Sequence, residues 1–321
     1  MKNIGINLSS LNYYVAKSKN KTEIIKEFAK IAAYENLDGI EFYPSTFLQK
    51  KDKHKLNLIC KDISSLGLFF ILDCNRIFDI DAIKDLITHV KLSKRKTLVI
   101  LLSKILECKR HLIKKDWDEY INDSIKFLNI LEPIAKDNGV KIAIENHQDF
   151  DSNDFLKILE RFTKNNVIGL NFDIGNAFAV CEDPMVFCKK LDYMINNVHI
   201  KDYEIYETKE GFKLCSCSIG YGSVNIKPIL KHIEKINPGI TKTIEPGQLS
   251  PRHIMKNKKI FWKKIGARLV DEKNQFEKVL TKSFIRDKKY QNILLNKNDK
   301  EVFCYLKNQI KESIDFCKQK L

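Results

Sequence analysis

Short apolar, β-branched segments alternate with amphipathic segments eight times in this chain. The predicted strands are residues 4–8, 39–43, 68–73, 97–102, 140–145, 168–173, 197–202 and 241–245. The predicted helices are residues 21–35, 54–66, 80–92, 116–138, 153–163, 184–194, 226–236 and 252–264, and a long loop is expected over residues 203–224. Such alternation is typical of a parallel sheet covered by helices. Eight units without a Gly-rich phosphate motif after the first strand predict an α/β fold, a closed (β/α)8 TIM barrel.

The chain has 321 residues, whereas a single (β/α)8 domain typically has about 250. We therefore predict a barrel domain over residues 1–265 and a C-terminal helical extension over residues 266–321, with helices near 272–282 and 300–318. No apolar run approaches the roughly 18 residues of a membrane span, and the N-terminus lacks the features of a signal peptide. Nine irregularly spaced cysteines favour reduced thiols and a cytoplasmic location.

The net charge of +15 is concentrated at the C-terminus, where residues 251–321 carry 19 Lys and Arg against 8 Asp and Glu. Such a segment can bind nucleic acid, an acidic membrane surface or a protein. A solvated helical face is favoured, because Lys greatly outnumbers Arg and specific phosphate contacts often use Arg. The segment also has too many apolar residues for a disordered arm. We expect it to pack beside the barrel through Phe261, Trp262, Ile265, Leu269, Phe276, Leu280, Phe303, Leu306, Ile310 and Phe316.

Four predicted strands end with side chains that can bind a metal ion: Glu145, Asp173, His199 and Glu245. The carboxyl ends of barrel strands meet at one rim, so residues about a hundred positions apart can surround one ion. Two Glu, one Asp and one His make a mostly oxygen ligand set. This set suits Mn²⁺, Mg²⁺ or Co²⁺, with Zn²⁺ as an alternative. The sequence therefore predicts one divalent ion per chain.

Each of these residues also has a purely structural interpretation. A strand-end Glu can pair with a Lys, Asp173 can cap a helix, and His199 can be a hydrogen-bonded core residue. The metal site is favoured because a charge at the end of an apolar strand is costly without a partner.

Two further residues share a face with the predicted ligands. His147 lies two positions beyond Glu145, and Lys201 lies two positions beyond His199. We predict that both bind substrate, His147 through hydroxyl groups and Lys201 through a carboxylate or phosphate. Glu41, on the second strand, is expected to be a rim residue that makes ion pairs.

Six motifs occur in order at the expected strand ends and in the long loop. They are Gly39-Ile-Glu41, Ile144-Glu145-Asn-His147, Asp173-Ile-Gly-Asn176, Val198-His199-Ile-Lys201-Asp202, Gly220-Tyr-Gly222 and Ile244-Glu245. With these motifs, roughly residues 1–265 resemble the xylose-isomerase-like barrels. That family includes sugar-phosphate isomerases and epimerases, inosose dehydratase and, more distantly, endonuclease IV. The resemblance implies that Glu145, Asp173, His199 and Glu245 hold one divalent metal. The segment 182–222 and Phe261-Trp262 are also similar to a branch that contains 3-oxoisoapionate decarboxylases.

The predicted site suits proton transfer on a small sugar. An ion chelated by a carbonyl and a neighbouring hydroxyl lowers the pKa of the adjacent C–H group. Glu145 and Glu245, three strands apart around the rim, can remove a proton and return it as catalytic residues. The leading hypothesis is a metal-dependent isomerase or epimerase acting on a small sugar, sugar phosphate or sugar acid. The alternative is a lyase, either a decarboxylase or a dehydratase, acting on a keto sugar acid.

A nuclease that resembles endonuclease IV is the third hypothesis. That class has additional His ligands at early strand ends, but here strand three ends in Asp73-Cys-Asn75 and strand four in Leu102-Ser103-Lys104. The expected partner is therefore a small carbohydrate, and neither a membrane nor a nucleic acid is expected as a partner. The sequence does not decide whether the chain forms a homo-oligomer.

Overall fold

The computed structural model describes residues 3–49, 52–164, 166–247, 249–266, 270–286, 290 and 298–320. The strands are β1 (Ile4–Asn7), β2 (Gly39–Phe42), β3 (Phe69–Cys74), β4 (Thr97–Ile100), β5 (Lys141–Glu145), β6 (Ile168–Asp173), β7 (Ile195–Ile200), β8 (Tyr203–Thr208), β9 (Gly211–Ser216), β10 (Lys242–Ile244) and β11 (Arg252–Ile254). The α-helices are α1 (Asn12–Lys17), α2 (Lys21–Tyr34), α3 (Pro44–Phe47), α4 (Lys53–Ser65), α5 (Ile80–Val90), α6 (Trp117–Asp137), α7 (Ser152–Leu159), α8 (Pro184–Leu191), α9 (Ile226–Ile236), α10 (Val270–Ser283) and α11 (Asp299–Lys320).

Eight parallel strands close into a barrel in the order β1-β10-β7-β6-β5-β4-β3-β2, which confirms the predicted fold. Closure occurs at β1, where Gly5 pairs with Gly39 of β2 on one side and with Thr243 of β10 on the other. Because all eight strands run in the same direction, their carboxyl ends meet at a single rim.

Two of the outer helices end at a glycine with a left-handed backbone. Gly67 follows α4 with φ of 80°, and Gly139 follows α6 with φ of 63°. Such C-terminal glycines satisfy the last turn without steric cost. At the other end of α6, the side chain of Asp116 accepts hydrogen bonds from the backbone of Asp118 and Glu119. These caps fix the start and end of the segments between barrel strands.

The lower interior of the barrel is apolar. Phe69, Ile71, Val99 and Ala143 form a buried cluster separate from the larger core between the sheet and the helices. A Cβ at Gly39 would lie 2.3 Å from the ring of Phe69, so this glycine gives the ring its space. Side chains on a strand alternate between faces, so positions two residues farther along point into the same interior.

The segment 203–224 was predicted to be a loop, but it contains the antiparallel hairpin β8–β9. The predicted helix over residues 252–264 is also wrong. Its first residues form β11, which pairs with β9 through Arg252 with Leu214 and Ile254 with Phe212, and a 3₁₀ helix covers Lys259–Trp262. Pairing with an available strand edge has overridden the helical spacing of the apolar residues.

The C-terminal segment packs on the barrel through α10 and α11. Phe276 of α10 is buried against the rings of Phe178 and Phe212. Phe303 of α11 stacks on Tyr14 of α1, at 4.4 Å between ring centroids. The buried residues of these helices include Phe276, Leu280, Leu306 and Ile310, whereas Leu269 lies outside the described residues. A domain boundary at residue 265 stays a prediction.

Helix α11 takes the place of an eighth barrel helix. Lys318 forms an ion pair of 2.7 Å with Glu35, the residue that follows α2, and Lys227 of α9 lies over the ring of Phe316. These contacts with the end of α2 and with α9 place α11 between the first and seventh helices of the outer layer.

Within the described ranges, no helix combines the length and the apolarity that crossing a bilayer requires. All nine cysteines lie in the described part of the chain, none of them forms a disulfide, and seven are buried.

Candidate active site

A polar layer lies above the apolar interior, at the carboxyl ends of the strands. Glu145 ends β5, Asp173 ends β6, His199 lies in β7 and Glu245 follows β10. One ligand atom from each residue lies within 4.8 Å of those from the other three, and all four residues are buried. The structure therefore brings together the four residues predicted to bind the metal.

Glu41 makes an ion pair, as predicted, but it lies buried in the barrel interior beside His199 and not on an exposed rim. The side chain is fully buried, and its Oε1 atom lies 2.6 Å from Nε2 of His199. Its Oε2 atom accepts a hydrogen bond of 2.5 Å from Thr243. A carboxylate on one imidazole nitrogen is a common way to orient a histidine whose other nitrogen binds a metal. The Gly39-Ile-Glu41 motif was the available signal, since it places a charge inside an apolar strand.

Lys201 lies inside the cluster. Its Nζ atom is 2.9 Å from Oδ2 of Asp173 and 3.0 Å from Oε1 of Glu245. Burial opposes the charge, but these two carboxylates raise the pKa of Lys201 well above its usual value. The ammonium group therefore orients and neutralises two of the predicted ligands.

The two glutamates have opposite electrostatic environments. Burial raises the pKa of Glu145 to about 8, against the opposing charge of His199. Burial would also raise the pKa of Glu245, but Lys201 and His199 hold that pKa well below its usual range. Ser9 donates a further hydrogen bond of 3.0 Å to Oε1 of Glu245. The Oε2 atoms of both glutamates are buried and accept no hydrogen bond from the described residues, although Nδ1 of His199 lies 3.0 Å from Oε2 of Glu245.

Asp173 is fixed by its neighbours. Asn146 accepts a hydrogen bond of 2.6 Å from the backbone N–H of Asp173 and donates one to its carbonyl oxygen. Asn176 donates a hydrogen bond of 2.6 Å to Oδ2 of Asp173. The Ile144-Glu145-Asn-His147 and Asp173-Ile-Gly-Asn176 motifs therefore interlock, and they hold one carboxylate in a single orientation.

His147 lies at the edge of the cluster. Its Nδ1 atom is buried and has no hydrogen-bond partner among the described residues. Burial and the charge of Lys201 lower the pKa of His147 to about 4, so its imidazole is neutral at pH 7. A neutral imidazole with a free nitrogen can exchange hydrogen bonds with a hydroxyl group.

Asp202 anchors the hairpin beside the site. Its carboxylate accepts hydrogen bonds from the backbone N–H groups of Tyr203, Gly220, Gly222 and Val224. A Cβ at Gly222 would lie 2.2 Å from this carboxylate, which explains the glycine in the Gly220-Tyr-Gly222 motif. Asp202 therefore joins the start of the hairpin to residues 220–224, which follow its second strand.

The donor set suits a hard divalent cation. Three carboxylates and one imidazole converge, and the partner-free oxygen of Glu145 is buried among them. A buried carboxylate oxygen without a donor is costly unless a cation or proton meets it. The residues therefore fit Mn²⁺, Mg²⁺ or Co²⁺, and Zn²⁺ is also compatible with this mixed set.

The family model described as xylose isomerase-like TIM barrel matches residues 78–261, more than half of the chain. The chain belongs to this family. Inosose dehydratase from Clostridium botulinum (strain Alaska E43 / Type E3) is 28% identical over 146 residues, which are 41% of this chain and 48% of that protein. The chain spans about half the length, or less, of the curated relatives it matches.

Two solved structures show the same fold. A xylose isomerase-like TIM barrel protein from Mycobacterium smegmatis in complex with magnesium has a TM-score of 0.58 at 13% identity, over 89% of this chain and 98% of that chain. The 3-keto-D-glucoside 4-epimerase YcjR from E. coli has a TM-score of 0.57 at 12% identity, over 88% of this chain and 98% of that chain. At these identities the likeness extends to the fold alone.

Proposed function

We propose that this protein is a divalent-metal-dependent isomerase or epimerase that acts on a small sugar or sugar derivative. The observation that carries the proposal is the buried cluster of Glu145, Asp173, His199 and Glu245, with ligand atoms within 4.8 Å of one another. The 3-keto-D-glucoside 4-epimerase YcjR has the same fold, so the assignment is compatible with this architecture.

The residues of the cluster have distinct roles in this proposal. Glu145, Asp173, His199 and Glu245 would hold the ion, which polarises a substrate carbonyl and acidifies the neighbouring C–H group when it is bound. Glu245 is held by Lys201 and Ser9 at 3.0 Å each, so its carboxylate has a fixed direction. Glu145 has a buried oxygen free to take or give a proton. Two carboxylates from separate strands can then act on opposite sides of one carbon.

His147 and Lys201 complete the proposed site. The free Nδ1 atom of His147 is available to a substrate hydroxyl. Lys201 contacts two carboxylates of the cluster, so its main effect is to keep Asp173 and Glu245 ionised and oriented. A substrate carboxylate or phosphate would have to compete with these ion pairs.

A lyase remains the second candidate, because inosose dehydratase is among the relatives. Proton removal next to a carbonyl is common to epimerisation and to loss of water. The two reactions differ in whether the substrate carries a leaving group at the adjacent carbon.

Product analysis tests the proposal. The Mn²⁺-loaded protein is incubated with a panel of keto sugars, inososes and keto sugar acids in D₂O. We expect isomer formation with deuterium at the reacting carbon. Release of water or CO₂ without isomers would assign the lyase instead, and no reaction with any member would contradict both assignments.

Metal binding should depend on Glu41 as well as on the ligands. Replacing Glu41 with Gln removes the charge that holds His199, so we expect Mn²⁺ affinity to fall by about 10- to 100-fold. His199→Ala should lower affinity further. Calorimetric titration of the metal-free protein measures both. Unchanged affinity in both variants, or no metal binding by the wild type, would refute the metal site.

The basic C-terminal segment should bind duplex DNA weakly. Its apolar residues are packed on the barrel, and several lysines are paired, such as Lys318 with Glu35. Attraction to phosphates alone falls steeply with salt. Titration of labelled DNA at physiological ionic strength checks this. Tight binding together with cleavage at abasic sites would favour the nuclease over the sugar enzyme.

A further inference from the structure

The backbone of Gln148 is strained at the point where the chain leaves β5. Its φ is 136°, a value that glycine adopts freely but that residues with a side chain rarely adopt. Such a conformation lowers stability and persists only where the surrounding contacts enforce it. Gln148 directly follows His147, whose Nδ1 atom has no hydrogen-bond partner among the described residues. The strain therefore lies next to a residue of the proposed site.

Two further residues with a left-handed backbone face Gln148 across the rim. Glu107 and Cys108, in the segment after β4, have φ of 58° and 53°. The backbone N–H of Glu107 donates a hydrogen bond of 3.1 Å to Oε1 of Gln148, and the N–H of Cys108 donates one of 2.9 Å to the carbonyl oxygen of Gln148. These two hydrogen bonds hold the strained turn after β4 against the strained turn after β5.

The side chain of Gln148 also reaches the segment after β6. It is 4% exposed, and its Nε2 atom donates a hydrogen bond of 3.4 Å to Oδ1 of Asn176. Tyr203 donates a hydrogen bond of 2.9 Å to the same oxygen, and Asn176 itself donates to Asp173. The amide of Gln148 therefore connects the segment after β4 with the residue that orients a predicted metal ligand.

The direction of the His147 imidazole depends on the backbone on either side of it. Asn146, before it, exchanges two hydrogen bonds with the backbone of Asp173. Gln148, after it, is fixed by its hydrogen bonds to the segments that follow β4 and β6. Because Nδ1 of His147 has no partner among the described residues, no hydrogen bond at this atom adds to the orientation of the ring.

We propose that Gln148 is a positioning residue that directs His147 toward the substrate. Its amide holds the backbone at a φ that would otherwise relax, and this backbone turns the imidazole into the site. Glycine would adopt the same φ without strain but would lose both hydrogen bonds of the amide, so the turn would no longer be fixed. The inference rests on the proposed function for the role of His147, but the orientation of the ring can be measured without a substrate.

Melting temperatures of Gln148→Gly and Gln148→Ala test the strain. Both variants lack the amide, but only glycine accepts a φ of 136° without steric cost. We expect the Mg²⁺-loaded full chain to unfold at a higher temperature with glycine than with alanine. Lys96→Gly is the control, since Lys96 is exposed, has a φ of 46° and precedes β4 at the opposite end of the barrel.

The imidazole signals of His147 test the positioning. They are recorded by NMR on protein that is labelled with ¹⁵N-histidine and loaded with diamagnetic Mg²⁺, and they are assigned by their loss in His147→Asn. We expect Gln148→Gly to shift or broaden them and Lys96→Gly to leave them unchanged. On the substrate found by product analysis, Gln148→Gly should lower kcat/KM about tenfold, mostly through KM, because a hydrogen bond to the substrate is misaligned.

The possible outcomes separate this inference from the proposed function. If the wild type converts no sugar but the His147 signals move in Gln148→Gly, the proposed function fails and the positioning of His147 stands. If the signals and kcat/KM of Gln148→Gly equal those of the wild type, the proposal is refuted. A lower melting temperature with glycine than with alanine would show that the backbone is not strained. Destabilisation of both variants with unmoved His147 signals would give Gln148 a purely structural role, and either result overturns the proposal.

Discussion

Turnover should fall by about 10²-fold or more when either Glu145 or Glu245 is replaced with Gln, even at saturating Mn²⁺. The substitution keeps the shape of the side chain but removes its capacity to accept a proton. Glu245 is the more constrained group, since Lys201, His199 and Ser9 all lie within 3.0 Å of its carboxylate oxygens. Steady-state rates on the substrate identified by product analysis, measured over a range of Mn²⁺ concentrations, check this expectation.

Glu41→Gln provides the matched control for these variants. Glu41 is buried beside His199 and is not one of the proposed proton-transfer groups. Excess Mn²⁺ should therefore restore the turnover of Glu41→Gln, whereas it should not restore the turnover of the Glu145 or Glu245 variants. If excess metal fully restores either of those variants, that glutamate acts as a ligand only.

Deuterium exchange separates the roles of the two glutamates. If they act on opposite faces of the substrate, each single variant should still exchange the proton on the face served by the remaining carboxylate, while conversion to the other isomer is lost. Equal loss of exchange from both isomers in both variants would instead indicate that one carboxylate serves both faces.

The barrel could be predicted because its strands are short, apolar and regularly interrupted by amphipathic helices. That pattern is local, and it also fixes which residues lie at the strand ends. Glu145, Asp173 and His199 were therefore predicted as neighbours without knowledge of any contact. Closure of the sheet then brings these residues together, because parallel strands have their carboxyl ends at one rim.

The errors occurred where long-range pairing decides the structure. Residues 252–264 carry apolar residues at helical spacing, but the edge of β9 was available and β11 formed on it. The burial of Glu41 was also not predicted, because every residue of β2 is buried and the strand shows no alternation from which its inward face could be read. Asp73 was noted only because a nuclease of the endonuclease IV class has a histidine ligand near this strand end.

Stability should depend strongly on Arg110, a charged residue that is fully buried. Its guanidinium group lies 2.7 Å from Oδ2 of Asp154 and 3.3 Å from Oδ2 of Asp151, and it donates a hydrogen bond of 2.6 Å to the carbonyl oxygen of Asp149. It also lies over the ring of Trp117 at 4.4 Å. These contacts join the segment after β4, the first turn of α6 and the loop that follows Glu145.

Replacing Arg110 with Met removes the cation and leaves the aspartates buried without it. Breaking a buried ion pair in this way typically costs about 3–5 kcal/mol, so we expect a loss of that size in the free energy of unfolding in urea. Arg76→Met is the control, since Arg76 is half exposed and its pair with Asp79 measures 3.6 Å. Exposed pairs contribute less than about 1 kcal/mol. Equal, small losses in both variants would show that the Arg110 network does not stabilise the loop beside the active site.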